Sequence, residues 1–252
     1  MSEPLATPDA LGGAPILEDA RARRRLIAMA EVVLCSGGPT QLAIGALLRA
    51  AGWAPDDAAG HLSLPFVLTL SLADTVALIV LMVLLMRARG ERALTLWVGQ
   101  RPLRREILYG LLTVPLLVIG AGILLNAVRL LMPWSHNVAT NPLEQLATTP
   151  GEVAMFALVA IVAGGVREEL QRAFLLHRFE QHLGGTGIGV IVLSIAFGLG
   201  HSLQGWDAAI TTGTLGAYWA LMYVRRRSSV APIVSHAAFN ALEIVRISLG
   251  SG

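Results

Sequence analysis

The sequence predicts an all-α polytopic membrane protein, a bundle of about seven transmembrane helices, and three observations carry that expectation. Of 252 residues, 54% are hydrophobic and only 14% are charged, whereas an average soluble domain is about 25% charged. The mean hydropathy is +0.64. Apolar residues fall in long blocks rather than at helical or strand periodicity, the pattern of segments that cross lipid. Aromatic residues are few, and the Leu/Ala/Val usage is that of helices rather than of an outer-membrane barrel.

Residues 1–25 read as a disordered cytosolic tail. The first twenty are polar, acidic and rich in Ala, Pro and Gly, unlike a cleavable signal peptide, and "RARRR" closes the segment. Residues 26–252 read as one helical transmembrane domain with apolar blocks near 26–50, 63–86, 107–132, 152–176, 187–203, 207–224 and 229–249. "RARRR", "RARGER", "RPLRRE" and "RRR" all fall on one side if there are seven spans. The opposite loops, "GWAPDDAAGH" and "PWSHNVATNPLEQLATTPGE", hold no Lys or Arg. The positive-inside rule then places the N-terminus in the cytosol and the C-terminus outside. Basic clusters at block ends orient a chain in lipid, so no nucleic-acid partner is expected.

Block four is predicted to run past Gly165 through "VREELQRAFLLHRFEQHL" to the turn at Gly184 and Gly185. Phe174, Leu175, Leu176 and Phe179 continue its apolar side, while Arg178, Glu180 and His182 are expected to face solvent. Blocks four and five form one helical hairpin. Glu168 and His201 lie sixteen and seventeen residues from Gly184, so at a rise of about 1.5 Å per residue both sit roughly 25 Å from the tip. His236 and Asn240 share a face at i and i+4, about 13 Å beyond the "RRR" turn. Glu168, Glu169, His201, His236 and Asn240 are thus expected to meet in a cavity recessed below the cytosolic surface. A charged group at helix centre costs about 2.5–3.5 kcal/mol and normally faces a cavity and a partner.

Simpler roles are expected for other polar residues. Glu168 and Arg172 could form a structural ion pair at i,i+4. Asp74, Asn126 and Arg129 read as packing or helix-end features, and Glu31 as a side chain reaching the interface. Glu243 continues the His236 stripe, with Arg246 three residues on to neutralise it. Trp53, Trp97, Trp134 and Trp206 read as interfacial anchors. The single cysteine, Cys35, excludes an intrachain disulfide and is a poor nucleophile. Gly198 and Gly200 would permit close approach of a helix or peptide beside His201.

"REELQRAFLL", "FGLGH" (197–201) and "HAAFN" (236–240) resemble the three motifs of the CPBP family, the CAAX-protease and bacteriocin-processing intramembrane peptidases. Their usual forms are a double Glu followed by Arg and a small residue, Phe-x-x-x-His, and His-x-x-x-Asn. The resemblance covers about 150–245, the expected catalytic core. It implies an intramembrane endopeptidase that hydrolyses a peptide bond of a membrane-tethered substrate near the cytosolic face. Glu168 with His201 would activate water, His236 with Asn240 would stabilise the oxyanion, and Arg172 would support the carboxylates. Because the family was first described as metallopeptidases, zinc on Glu168, His201 and His236 is the alternative; no "HExxH" is present, and no cofactor is expected.

The sequence departs from the family in one place: only Leu170 and Gln171 separate Glu169 from Arg172, where three residues are usual. Anchoring on "RAFLL" puts Arg167 and Glu168 in the two glutamate positions; anchoring on the glutamates keeps Glu168 as the base and Glu169 as its support. Two other classes stay open: a non-catalytic scaffold or immunity-type protein of the same fold, and a small transporter with a proton relay. The expected partners are a membrane-anchored peptide or protein and the lipid bilayer, in a bacterial inner membrane.

Overall fold

The structure is a computed structural model and describes residues 13–57, 60–139, 141, 146 and 149–250. The order is α1 (Gly13–Leu34), α2 (Gly38–Ala50), α3 (Leu64–Ala88), α4 (Ala93–Trp97), α5 (Leu103–Leu131), α6 (Pro150–Val159), a π-helical segment (Ala160–Arg167), α7 (Glu168–His182), α8 (Thr186–Gly200), α9 (Trp206–Arg226) and α10 (Val230–Gly250). The expected all-α membrane bundle is what forms. By length and composition, α3, α5 and α10 can each cross a membrane, and α1 with α2 pass as a pair bent by 43°. Blocks four to six do not pass that test as single spans, and α8 is a shorter apolar helix.

Two differences from the sequence reading have local causes. The first block breaks at Ser36–Gly37, where Gly37 takes φ +90° and a proline enters the first turn of α2. Proline at a first turn is preorganised for a new helix and cannot continue the preceding one. At the other end, α1 begins at Gly13, within the stretch expected to be disordered; residues 1–12 lie outside the described residues.

The hairpin of blocks four and five forms as expected. Thr149 and Glu152 make a reciprocal capping box at the start of α6, satisfying two donors the first turn would leave unpaired. The chain stays helical to His182, and Gly184 and Gly185, at φ +98° and +96°, turn it into α8, which packs back on α7. The π segment coincides with Gly164 and Gly165, and α10 lies against it. A Cβ on Gly165 would stand 2.6 Å from that of Ala237, and one on Gly164 would stand 2.5 Å from the Asn240 amide nitrogen. Asn240 Nδ2 donates to the Ala160 carbonyl at 3.2 Å. A side chain bonding into the ladder and a widened turn are related causes of such segments.

The end that carries the arginine-rich turns holds the main core. Phe174, Leu175 and Leu176 of α7 pack there with Leu78, Met82 and Met86 of α3, Trp97 of α4 and Tyr223 of α9. Arg178, expected to be solvated, is fully buried and pairs with Glu31 and Glu91. Glu31 is buried too, and Arg89 donates to it at 2.7 Å. These partners lie on α1 and after α3, so the periodicity of α7 alone could not reveal them. Trp97 is buried rather than interfacial, its indole N–H donating to the Leu170 carbonyl at 3.1 Å. Trp53, Trp134 and Trp206 are exposed, consistent with anchoring roles.

Candidate active site

The buried carboxylates and histidines gather halfway along the bundle. Glu168 and Glu169 open α7 directly after the π segment. Successive helical residues point about 100° apart, and the two side chains take different surroundings. Glu169 is 1% exposed; its Oε1 accepts from the Arg172 guanidinium and from His236 Nδ1, the latter at 2.8 Å. Glu168 lines an open cavity of about 910 Å³. Its Oε2 is 4.0 Å from His236 Nε2, and its Oε1 is 3.5 Å from the Arg167 guanidinium. Arg172 therefore pairs with Glu169 at i,i+3, which corrects the expected i,i+4 pair with Glu168.

His236 is fixed from two sides. Glu169 holds Nδ1, which therefore carries a proton, and the Trp219 ring stacks on the imidazole at 3.8 Å between centroids and 13° between planes. Nε2 is left to face Glu168. His201, at the end of α8, places Nδ1 2.8 Å from the Phe197 carbonyl. A carbonyl only accepts, so Nδ1 bears the hydrogen and Nε2 keeps its lone pair. The Phe197 ring meets His201 edge-on at 4.8 Å and His236 edge-on at 6.1 Å, and the Arg172 guanidinium lies over its face at 4.7 Å. One phenyl ring thus touches three of the motif residues.

His201, His236 and Asn240 line the same cavity as Glu168, while Glu169 and Arg172 sit behind it. The site residues expected from the sequence are brought together in that sense. Of the two glycines expected near His201, Gly198 lies against the backbone of α9, where a Cβ would meet the Ala209 carbonyl at 2.6 Å, while Gly200 borders open space.

Several contributors escaped the sequence reading. Trp219 sits in mid-block, and Phe197 drew notice only as a motif letter. Arg167 is 8% exposed, donates to Gln171 at 3.2 Å and lies 3.7 Å from Asp74, which itself accepts from Thr40 and Gln41 of α2. Asp74 is therefore the packing residue expected, and it ties α2 and α3 to the residue before Glu168. The "SGGPT" break that places Thr40 and Gln41 was the available signal. Arg129, read as a helix-end residue, donates to Asp207 at 2.7 Å beside His136, and Glu243 pairs with Arg246 as expected.

Among the described residues no three His, Cys, Asp or Glu side chains are grouped to hold a metal. His236 gives Nδ1 to Glu169 and His201 places Nδ1 on the Phe197 carbonyl, so on both rings Nε2 is the nitrogen left to meet a water or a metal beside Glu168.

A helical membrane bundle enclosing carboxylates, histidines and an asparagine at the inner end of a mostly apolar cavity defines a class: membrane proteins with a recessed site for polar chemistry. More particularly, residues 149–242 match the family model described as type II CAAX prenyl endopeptidase Rce1-like, in agreement with the family the three motifs resemble. No curated protein and no solved structure matches the chain.

Proposed function

We propose that the protein is an intramembrane endopeptidase that hydrolyses a peptide bond of a membrane-tethered substrate with water activated by Glu168 and His201. One observation carries the assignment of the base. Of the adjacent glutamates, Glu168 opens to the cavity, whereas Glu169 is buried and spent on Arg172 and His236. A general base must reach the proton it removes, directly or through one water. The 4.0 Å between Glu168 and His236 is too long for a hydrogen bond, yet short enough for one water to touch both.

In this scheme Glu168 takes the proton of the attacking water as the C–O bond forms and returns it to the amide nitrogen as the C–N bond breaks and the amine leaves; the lone pair on His201 Nε2 offers a second acceptor. The oxyanion that forms on the substrate carbonyl is held by the Asn240 amide hydrogen not given to Ala160 and by His236 with Nε2 as well as Nδ1 protonated. Glu169, Arg172, Trp219 and Phe197 position His236; they do not touch substrate. A general base contributes about 10²–10⁴-fold and an oxyanion donor about 10²–10³-fold. No step is routed through a metal.

The test is cleavage of a library of membrane-anchored peptides by purified protein in lipid, with and without chelator. Wild type is expected to cleave equally in both, and His201→Ala to lose cleavage while staying folded. Abolition of cleavage by chelator and its return with zinc would remove the metal-free scheme. Failure of folded wild type to cleave any peptide would favour the scaffold.

A further inference from the structure

The cavity has a direction, and it differs from the recess below the cytosolic surface that the hairpin arithmetic suggested. Its inner end is formed by Glu168, Trp219 and His236, and its outer end by His136, Asn141 and Ser248. None of its lining belongs to the arginine-rich turns at 87–92, 101–105 or 225–227. Beyond Glu168 towards those turns, the path is closed. Glu169 and Arg172 are buried, Leu170 receives the Trp97 indole, and the core of Phe174, Leu176, Met82 and Met86 fills the space. Arginine–glutamate pairs complete the seal, buried Arg178 with Glu31 and half-buried Glu91, and half-buried Arg226 with buried Glu106 at 2.6 Å.

We propose, on the basis of the peptidase reading, that the substrate reaches Glu168 from the membrane face opposite the arginine-rich loops. By the positive-inside rule that face is extracytosolic. From His236 to Ser248 along α10 is twelve residues, about 18 Å at the helical rise, which an extended chain covers in about five residues. The walls between are mostly apolar, with Val118, Leu125, Phe156 and Ile244, and Thr211, Thr212 and Gln204 are set among them. The outer end is polar, with Arg129 paired to Asp207 and Arg246 paired to Glu243. The entering segment is therefore a short, extended, apolar peptide adjoining an extracytosolic anchor, its scissile bond about five residues in from the mouth.

Thiol labelling tests the direction without needing catalysis. The chain's single cysteine, Cys35, is fully buried, so wild type gives the background. Thr212→Cys places a thiol on the cavity wall, and Arg104→Cys marks the arginine-rich end. A membrane-impermeant thiol reagent is expected to label Thr212→Cys in intact cells, and Arg104→Cys only in inverted vesicles. Labelling of both variants from the same side, or of Thr212→Cys from neither, would overturn the proposal. A second arm uses peptides anchored with the scissile bond on one side or the other. Cleavage of the extracytosolic set alone supports the proposal, and cleavage of the cytosolic set alone overturns it. Outside labelling of Thr212→Cys with no cleavage of either set would instead remove the peptidase reading, and the substrate assignment with it.

Discussion

The two ends of this bundle use the same residue types for opposite purposes. At the arginine-rich end, carboxylates and guanidiniums are buried, paired and enclosed by Phe174, Met82 and Trp97. On the other side of that seal, Glu168, His201, His236 and Asn240 face a cavity, and only some of their polar atoms are engaged. Glu168 and Glu169 mark the boundary, one on each side of it. A buried charge is evidence of function only where its surroundings leave it something to do; Arg178, the more deeply buried, is held by Glu31 and Glu91 away from any cavity.

That contrast can be broken at graded strength. Removing one partner from a buried ion pair leaves an uncompensated charge, at about 3–5 kcal/mol. Arg178→Ala should therefore show the largest loss of unfolding free energy in denaturant titration. At the boundary, Gly165→Ala forces a methyl against Ala237, and overpacking of this kind costs about 1–3 kcal/mol. Since α10 carries His236, its cleavage rate should fall further than its stability suggests, by comparison of kcat with the denaturation midpoint. Trp219→Leu removes the ring stacked on His236; the stability loss beyond burial should be about 0.5–1.5 kcal/mol, with kcat lowered more than KM is raised.

The smallest effect is expected at the exposed end of α7. Glu180 accepts two hydrogen bonds from Arg227, each at 2.7 Å, and this holds its carboxyl below the usual carboxylate range. Its stabilisation is present above that range and fades as pH falls through the lowered value. Exposed pairs are worth about 0–1 kcal/mol, so Glu180→Gln should change stability at neutral pH by less than Arg178→Ala does, and the difference from wild type should vanish in acid.

Much of this was legible in the sequence because it depends on spacing along one element. The glycine pair that ends α7, the shared depth of Glu168 and His201, and the common face of His236 and Asn240 all follow from helical rise and period. What was not legible depends on side chains far apart in the chain. Arg178 meets Glu31 across 147 positions, so its burial was invisible to a helical wheel. The pairing of Arg172 with Glu169 rather than Glu168 hinges on which carboxylate His236 draws inward. The direction in which the cavity opens was hidden as well, since two residues level with each other on a hairpin do not show which end of the bundle is open.

The most direct measurement is kcat/KM for Glu168→Gln beside Glu169→Gln, on one cleaved peptide, with both proteins shown to be folded. Glu168→Gln should keep the stability of wild type and lose about 10²–10⁴-fold in kcat/KM. Glu169→Gln should lose stability as well as activity, because Arg172 and His236 lose their partner. If Glu168→Gln cleaved like wild type while Glu169→Gln alone was inactive at unchanged stability, the cavity-facing glutamate would not be the base.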